Sequence, residues 1–107
     1  MFVYQVGEFC EYEGGGWSLI VADNENTFKN AVKVLVEHHA EKRERYAEVP
    51  KEIELDDEDM EYWKGAVDEQ DRIISSIRSC KSLDELNRLE IEGTTDVVSI
   101  WKTEVVE

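Results

Sequence analysis

The spacing of the apolar residues changes once near the N-terminus, and this change limits the class of fold. Residues 2–6 and 17–22 are short runs rich in β-branched and aromatic side chains, which are typical of strands. Three glycines at positions 14–16 lie between these runs, and glycine can supply the positive φ that a hairpin turn needs. The sequence therefore predicts that two antiparallel strands open the chain.

A helical spacing begins after residues 23–26, which offer several N-cap side chains. This first helix should end before Pro50, because proline biases the residue before it away from helical angles. The helix carries an apolar stripe at intervals of three and four, made of Phe28, Ala31, Val32, Leu35 and Val36.

Two further helices and a strand are predicted in the second half of the chain. One helix begins near residues 56–58 and turns Met60, Trp63, Val67, Ile74 and Ile77 inward. Ser82 and Glu85 have the spacing of a capping box, which predicts a short third helix to about Leu89. Residues 95–106 are rich in valine, isoleucine and threonine and predict a last strand.

The order β-β-α-α-α-β predicts a single domain over residues 1–107 with an α+β fold. Helices packed on one face of a small antiparallel sheet are the simplest arrangement of these elements. We expect the core to include side chains from both apolar runs and both long helices: Trp17, Leu19, Phe28, Val32, Leu35 and Trp63.

The charge of the chain limits its partners. There are 26 acidic and 12 basic residues, a formal net charge of −14, so non-specific binding to nucleic acid or to an anionic membrane is disfavoured. A hydrophobic fraction of 41% is too high for a disordered acidic tail. The N-terminus lacks a signal-peptide pattern, no apolar run is long enough to span a membrane, and the two cysteines form no disulfide framework. We expect a cytoplasmic protein.

The acidic residues are concentrated in residues 52–71, which contain ten carboxylates and a single basic residue, Lys64. Acids in the first turn of a helix interact favourably with the helix dipole, but that accounts for only three or four of them. The alternative is a surface complementary to a basic partner. Both interpretations remain open at the level of sequence.

The sequence gives no sign of catalysis, a cofactor or a metal site. Residues 56–59 lack the glycine and the distal glutamate of a calcium loop. His38 and His39 are adjacent, so on a helix they should diverge by about 100° and not chelate one ion together. There is no zinc-type spacing, no nucleophile elbow and no dinucleotide-binding glycine pattern. We therefore expect a protein that is not an enzyme.

Two segments of the chain resemble a family of phage-encoded inhibitors. The first is Tyr12-Glu13-Gly14-Gly15-Gly16-Trp17-Ser18-Leu19, followed by Asp23-Asn24-Glu25-Asn26 at a helix start. The second is Ser99-Ile100-Trp101 near the C-terminus. Together they are similar to the type II-C anti-CRISPR proteins that block the HNH nuclease domain of a CRISPR effector, in which a Ser-Cys-Trp meets the active site. Here isoleucine replaces the cysteine, Lys102 follows the tryptophan, and residues 41–80 have no clear counterpart.

The function predicted from these observations is that of a non-enzymatic acidic inhibitor of a nucleic-acid-processing enzyme. Its partner is a basic nucleic-acid-binding protein, and the resemblance implies the HNH domain of a CRISPR effector nuclease. The resemblance also implies a contact through Ser99, Ile100 and Trp101. The charge pattern points instead to mimicry of nucleic acid by Asp56, Asp57, Asp59 and Glu61.

Three alternatives to this function remain. The protein can be a phage or bacterial accessory protein that works in an assembly through its sheet edge, without inhibiting anything. It can be an acidic mimic directed at a different basic target. An enzyme that uses the carboxylates with a divalent metal is the third. For the predicted inhibitor we expect no direct contact with nucleic acid or with a membrane.

Overall fold

Three strands and three helices follow one another in the predicted order. The computed structural model describes residues 1–12 and 14–106. Glu13, which the sequence places in the hairpin turn, lies outside the described residues. The elements are β1 (Phe2–Cys10), β2 (Gly16–Ala22), α1 (Thr27–Glu52), α2 (Asp57–Ser79), α3 (Leu83–Leu86) and β3 (Asp96–Glu104).

The strands form one antiparallel sheet with β1 in the centre and the order β2-β1-β3. Val6 on β1 pairs with Leu19 on β2 and with Ile100 on β3. Because side chains alternate along a strand, Val6 and Glu8 share the face that the helices cover. The predicted α+β fold is confirmed.

The turn between β1 and β2 uses glycine as the sequence predicts. Gly14 has a φ of 71°, in the left-handed region that favours glycine. Its N–H donates to the carbonyl of Cys10 at 3.0 Å, and the N–H of Cys10 donates to the carbonyl of Gly15 at 2.8 Å. These two bonds close the hairpin.

Helix α1 does not end before Pro50, and that prediction was wrong. The helix continues to Glu52, and the N–H of Ile53 still donates to the carbonyl of Val49 at 3.2 Å. Proline lacks one donor, but Pro50 lies in the last turn, where little helix follows and the loss is limited to one bond. No helix in the described part of the chain is long and apolar enough to cross a membrane.

Helix α3 is shorter than predicted, although its start is as expected. The hydroxyl of Ser82 accepts from the N–H of Glu85 at 3.2 Å, and the Glu85 carboxylate accepts from the N–H of Lys81. The helix ends at Leu86 because the chain then turns along β3, where the N–H of Arg88 donates to the carbonyl of Val98 at 2.7 Å.

The core lies between the covered face of the sheet and one half of each long helix. Trp17, Phe28 and Val32 are partly buried against this core. Leu19 was expected inside but is 55% exposed, because it lies on an edge strand and the helices do not extend over its part of the covered face. The fully buried apolar side chains are Val6, Val21, Ala31, Leu35, Ile73, Ile77, Leu86, Ile91 and Val98.

Candidate functional site

The three residues near the C-terminus for which the resemblance implies a partner contact lie on β3, but they do not share one face of the sheet. Ser99 and Trp101 are on the sheet face away from the helices, while Ile100 is on the opposite face and packs against the core. The ring of Trp101 lies 5.3 Å from that of Phe9, measured between centroids. Alternation along the strand therefore separates Ser99 from Ile100.

The outer edge of β3 is partly occupied by the chain that follows α3. The N–H of Val98 donates to the carbonyl of Leu89 at 2.8 Å, and Glu90 forms a bridge with Val97. The N–H of Ile100 donates to the side-chain oxygen of Asn87 at 3.0 Å. These contacts occupy the first half of this edge, from Val97 to Ile100.

The acidic cluster at the start of α2 has a structural role as well as a charge. Asp56 is the N-cap residue, and its carboxylate accepts from the N–H of Asp59 at 2.8 Å. Asp57, Glu58 and Asp59 occupy the first turn, where the helix dipole favours negative charge. The dipole interpretation therefore covers these four carboxylates, whereas Glu61 lies in the next turn.

The two long helices extend beyond the core as a separate projection. On α1 the last buried side chain is His39, and on α2 the first is Gln70, so no side chain in residues 41–69 is buried. We call residues 41–69 the acidic arm. It carries 12 carboxylates and 5 basic side chains, a net charge of −7, which is half of the charge of the protein.

One side of the acidic arm carries a row of carboxylates that the sequence analysis did not single out. The spacing of three and four places these residues on one face of α1, beside an open groove that also touches His38, Arg45 and Val49. A count of charge within residues 52–71 includes only one of its four members, because the row lies in the helix that is nearly neutral overall. Its members are Glu41, Glu44, Glu48 and Glu52.

A second groove on the arm is mostly apolar. Its volume is about 520 Å³, and the Tyr46 and Trp63 rings on its wall lie 5.8 Å apart. Met60 lines the same groove, and the side chain of Tyr62 nearby is 68% exposed. Trp63 was expected in the core, but it is only half-buried and contacts Tyr46 on the arm.

A buried polar cluster lies where the arm meets the sheet. His39 is 1% exposed, Glu8 on β1 is 3% exposed and Gln70 on α2 is 5% exposed. The Nδ1 of His39 lies 2.7 Å from the amide oxygen of Gln70, so this nitrogen carries a proton and donates. The Nε2 of His39 lies 2.9 and 3.0 Å from the two oxygens of Glu8, and one proton is shared between them.

His38 stands at the edge of this cluster. Its ring stacks on Trp17 at 4.2 Å between centroids, and its Nε2 lies 3.9 Å from the Glu8 carboxylate. Partial burial lowers the pKa of His38, and it outweighs the attraction of Glu8, which acts in the opposite direction.

The expectation that the two histidines cannot serve one ion was wrong in its geometry. The candidate ligand atoms of Glu8, His38 and His39 all lie within 4.8 Å of one another. The two helix positions do diverge, but the long imidazole side chains lean toward the same carboxylate, and their rings meet edge to face with centroids 5.0 Å apart.

Glu8 and Gln70 were missed by the sequence analysis, although the sequence contains a signal for each. Alternation from Val6 places Glu8 on the covered face of the sheet. Gln70 lies three residues before Ile73 and seven before Ile77, which is the spacing of one helix face. A polar residue at a predicted core position indicates a buried hydrogen-bond network.

Comparison with known proteins identified no relative of this chain. It matches no protein-family model, no curated protein and no solved structure. The arm and the buried cluster are therefore interpreted from their own chemistry alone.

Proposed function

We propose that the protein is a non-enzymatic inhibitor that presents the acidic arm to the basic nucleic-acid-binding surface of a host enzyme in the cytoplasm. The observation that carries this proposal is the composition of the arm. Its 29 residues hold half of the net charge of the protein, and none of their side chains is buried. Like charges at this density destabilise a fold, and a basic partner relieves that repulsion.

The row of carboxylates on α1 suits a site that binds phosphates. Intervals of three and four residues in a helix correspond to about 4.5–6 Å along its axis. This spacing is of the same order as the spacing of phosphates along one strand of a DNA duplex, which is about 3.4 Å of helix axis per nucleotide. Enzymes that act on nucleic acids owe much of their affinity to lysine and arginine at such sites, and an acidic surface is attracted to the same side chains.

The apolar groove adds a hydrophobic and aromatic contact surface to the charge of the arm. Hot spots in interfaces are enriched in aromatic residues, and they are surrounded by contacts that exclude water. Tyr62 and Met60 are exposed among carboxylates, next to the Tyr46–Trp63 pair. An arm with this surface can be steered by its charge and anchored by its aromatic side chains.

The target that the resemblance implies is a CRISPR effector nuclease with an HNH domain. The direct experiment measures DNA cleavage by such a purified nuclease with increasing amounts of the protein. The expected result is stoichiometric inhibition that weakens as the salt concentration rises. Full cleavage at a large excess of the protein in low salt would exclude this target.

Charge reversal on the arm tests the surface itself. We expect the triple variant Glu52→Lys, Glu54→Lys and Glu61→Lys to associate at least about tenfold more slowly at low salt, because electrostatic steering is lost. The difference should shrink at and above 0.15 M salt, where the Debye length is about 8 Å. Surface plasmon resonance over a salt series measures both effects. These positions leave Asp56 untouched, so the cap of α2 is preserved.

The matched control carries the same change of charge at positions outside the arm. Glu11, Glu25 and Glu104 are exposed carboxylates outside the arm, and their reversal to lysine changes the net charge by the same amount. We expect this control to associate nearly as fast as the parent. Equal slowing in both triple variants would mean that net charge matters and the arm does not.

A substitution on β3 separates the arm from the surface that the resemblance implies. Ser99→Arg places a large cation on the outer face of the sheet, away from the core, so its thermal melt should match the parent. If the arm is the binding surface, this variant should inhibit the nuclease as well as the parent does. Loss of inhibition with an unchanged melt would move the interface to Ser99 and Trp101.

A further inference from the structure

We propose that Glu8, His38 and His39 form a binding site for a divalent transition-metal cation of the zinc type. This site is separate from the arm surface and goes beyond the inhibitory function. Two imidazole nitrogens and one carboxylate oxygen are a ligand set that zinc sites use, with the fourth position left to water or another ligand.

The positions of the ligand atoms favour this proposal. All three lie within 4.8 Å of one another, and His39 and Glu8 are already in contact at 2.9 Å. Zinc holds such ligands at about 2.0–2.2 Å, so the most distant pair must approach by about 1–2 Å. His38 is half-buried, so rotation of its ring can supply this movement without displacing the core.

The partner of the other nitrogen of His39 gives the strongest support. Metal-binding histidines almost always donate their second N–H to a carboxylate or a carbonyl, which fixes the tautomer and the ring orientation. Gln70 accepts from Nδ1 at 2.7 Å in a fully buried position. The Nε2 atom is thereby directed at Glu8, where the cation would lie.

Binding exchanges one cation for one proton. The proton that Nε2 of His39 and the Glu8 carboxylate share leaves to solvent, and both atoms then coordinate the metal through lone pairs. His38 would add the lone pair of one ring nitrogen as a further ligand. The open groove on α1 that touches His38 provides access from solvent.

The ligand set also selects among cations. Imidazole suits zinc, copper and nickel, whereas magnesium and calcium prefer sites made only of oxygen. The carboxylates of the arm can attract any divalent cation weakly. A site made of Glu8, His38 and His39 should therefore keep zinc in a large excess of magnesium.

The test is a titration of the metal-free protein with zinc, followed by calorimetry and by thermal melting. The variant Cys10→Ser with Cys80→Ser serves as the background, because thiolates would otherwise bind zinc themselves. We expect one zinc per chain, a dissociation constant in the micromolar range or below, and a melting temperature several degrees higher. Cobalt in place of zinc should give the intense visible absorption of a four-coordinate site.

Variants locate the ion within the molecule. His38→Gln should retain the fold and lose most of the zinc affinity, and Gln70→Ala should weaken binding by about 10–100-fold. Glu25→Gln, at an exposed position before α1 and outside both the cluster and the arm, is the matched control and should bind zinc as the parent does.

Several results would overturn the proposal. They are an unchanged melt with zinc, zinc affinity in His38→Gln equal to that of the parent, or displacement of zinc by excess magnesium. If His38→Gln fails to fold, the cobalt spectrum of the parent background decides, because a six-coordinate oxygen site on the arm absorbs only weakly. Each of these readouts is independent of nuclease inhibition.

Discussion

Replacing Glu8 by alanine should lower the free energy of unfolding by about 3–5 kcal/mol, measured by urea denaturation in the presence of a chelator. The carboxylate is 3% exposed, and its loss leaves the Nε2 of His39 buried without an acceptor. Breaking a buried pair on one side is costly, because the remaining polar or charged group is neither solvated nor paired. A loss of this size is a large share of the stability of a domain of this length.

Removing the whole cluster should restore much of that stability. The triple variant Glu8→Met, His39→Leu and Gln70→Met puts apolar side chains of similar size in place of all three polar groups, so no buried partner is left unpaired, and such replacements are often neutral or stabilising. Glu11→Ala is the control, since Glu11 is exposed just beyond the end of β1. If Glu8→Ala unfolds at the same urea concentration as the parent, the cluster does not stabilise the fold.

Replacing Leu35 by alanine should cost about 2–5 kcal/mol, which is the range for a leucine in a well-packed core. Leu35 has no exposed surface and lies on the buried stripe of α1. The same substitution at Leu19 should cost less than about 1 kcal/mol, because that side chain is already largely in water. Urea denaturation of the two variants in parallel measures the difference, and equal losses would contradict the arrangement of α1 on the sheet.

The pair Leu19 and Leu35 shows what the sequence could and could not predict. Periodicity correctly places both side chains on the inner face of their elements. It carries no information on how far a neighbouring element extends over that face, so it cannot tell an edge strand from a central one. The pairing of β1 with β3, residues 2–10 with 96–104, makes β2 an edge strand and leaves Leu19 exposed.

Local rules failed where tertiary contacts or position along the element decided the result. Pro50 lies within α1 because only its last turn is affected. The N-cap at Ser82 was predicted correctly, although Glu85 accepts from the N–H of Lys81 instead of that of Ser82. The end of α3 was not predicted, because pairing of Arg88 and Leu89 with β3 draws the chain out of the helix.

The candidate sites differ in how visible they were in the sequence. The charge of residues 52–71 was evident from counting. The row from Glu41 to Glu52 becomes evident only when the residues of α1 are arranged by their position around the helix axis. The Glu8, His39 and Gln70 contacts join residues 31 positions apart in each direction. Such contacts depend on the packing of two helices against a strand, which composition and spacing within one element do not specify.

The same three residues also connect the acidic arm to the sheet. His39 comes from α1, Gln70 from α2 and Glu8 from β1, so a single hydrogen-bonded junction joins all three parts at the base of the projection. No side chain is buried from there to the tip, about 20 Å further along α1. A small rotation of the helices at this junction would therefore be magnified at the tip, and it would change the direction in which the carboxylates of the arm face.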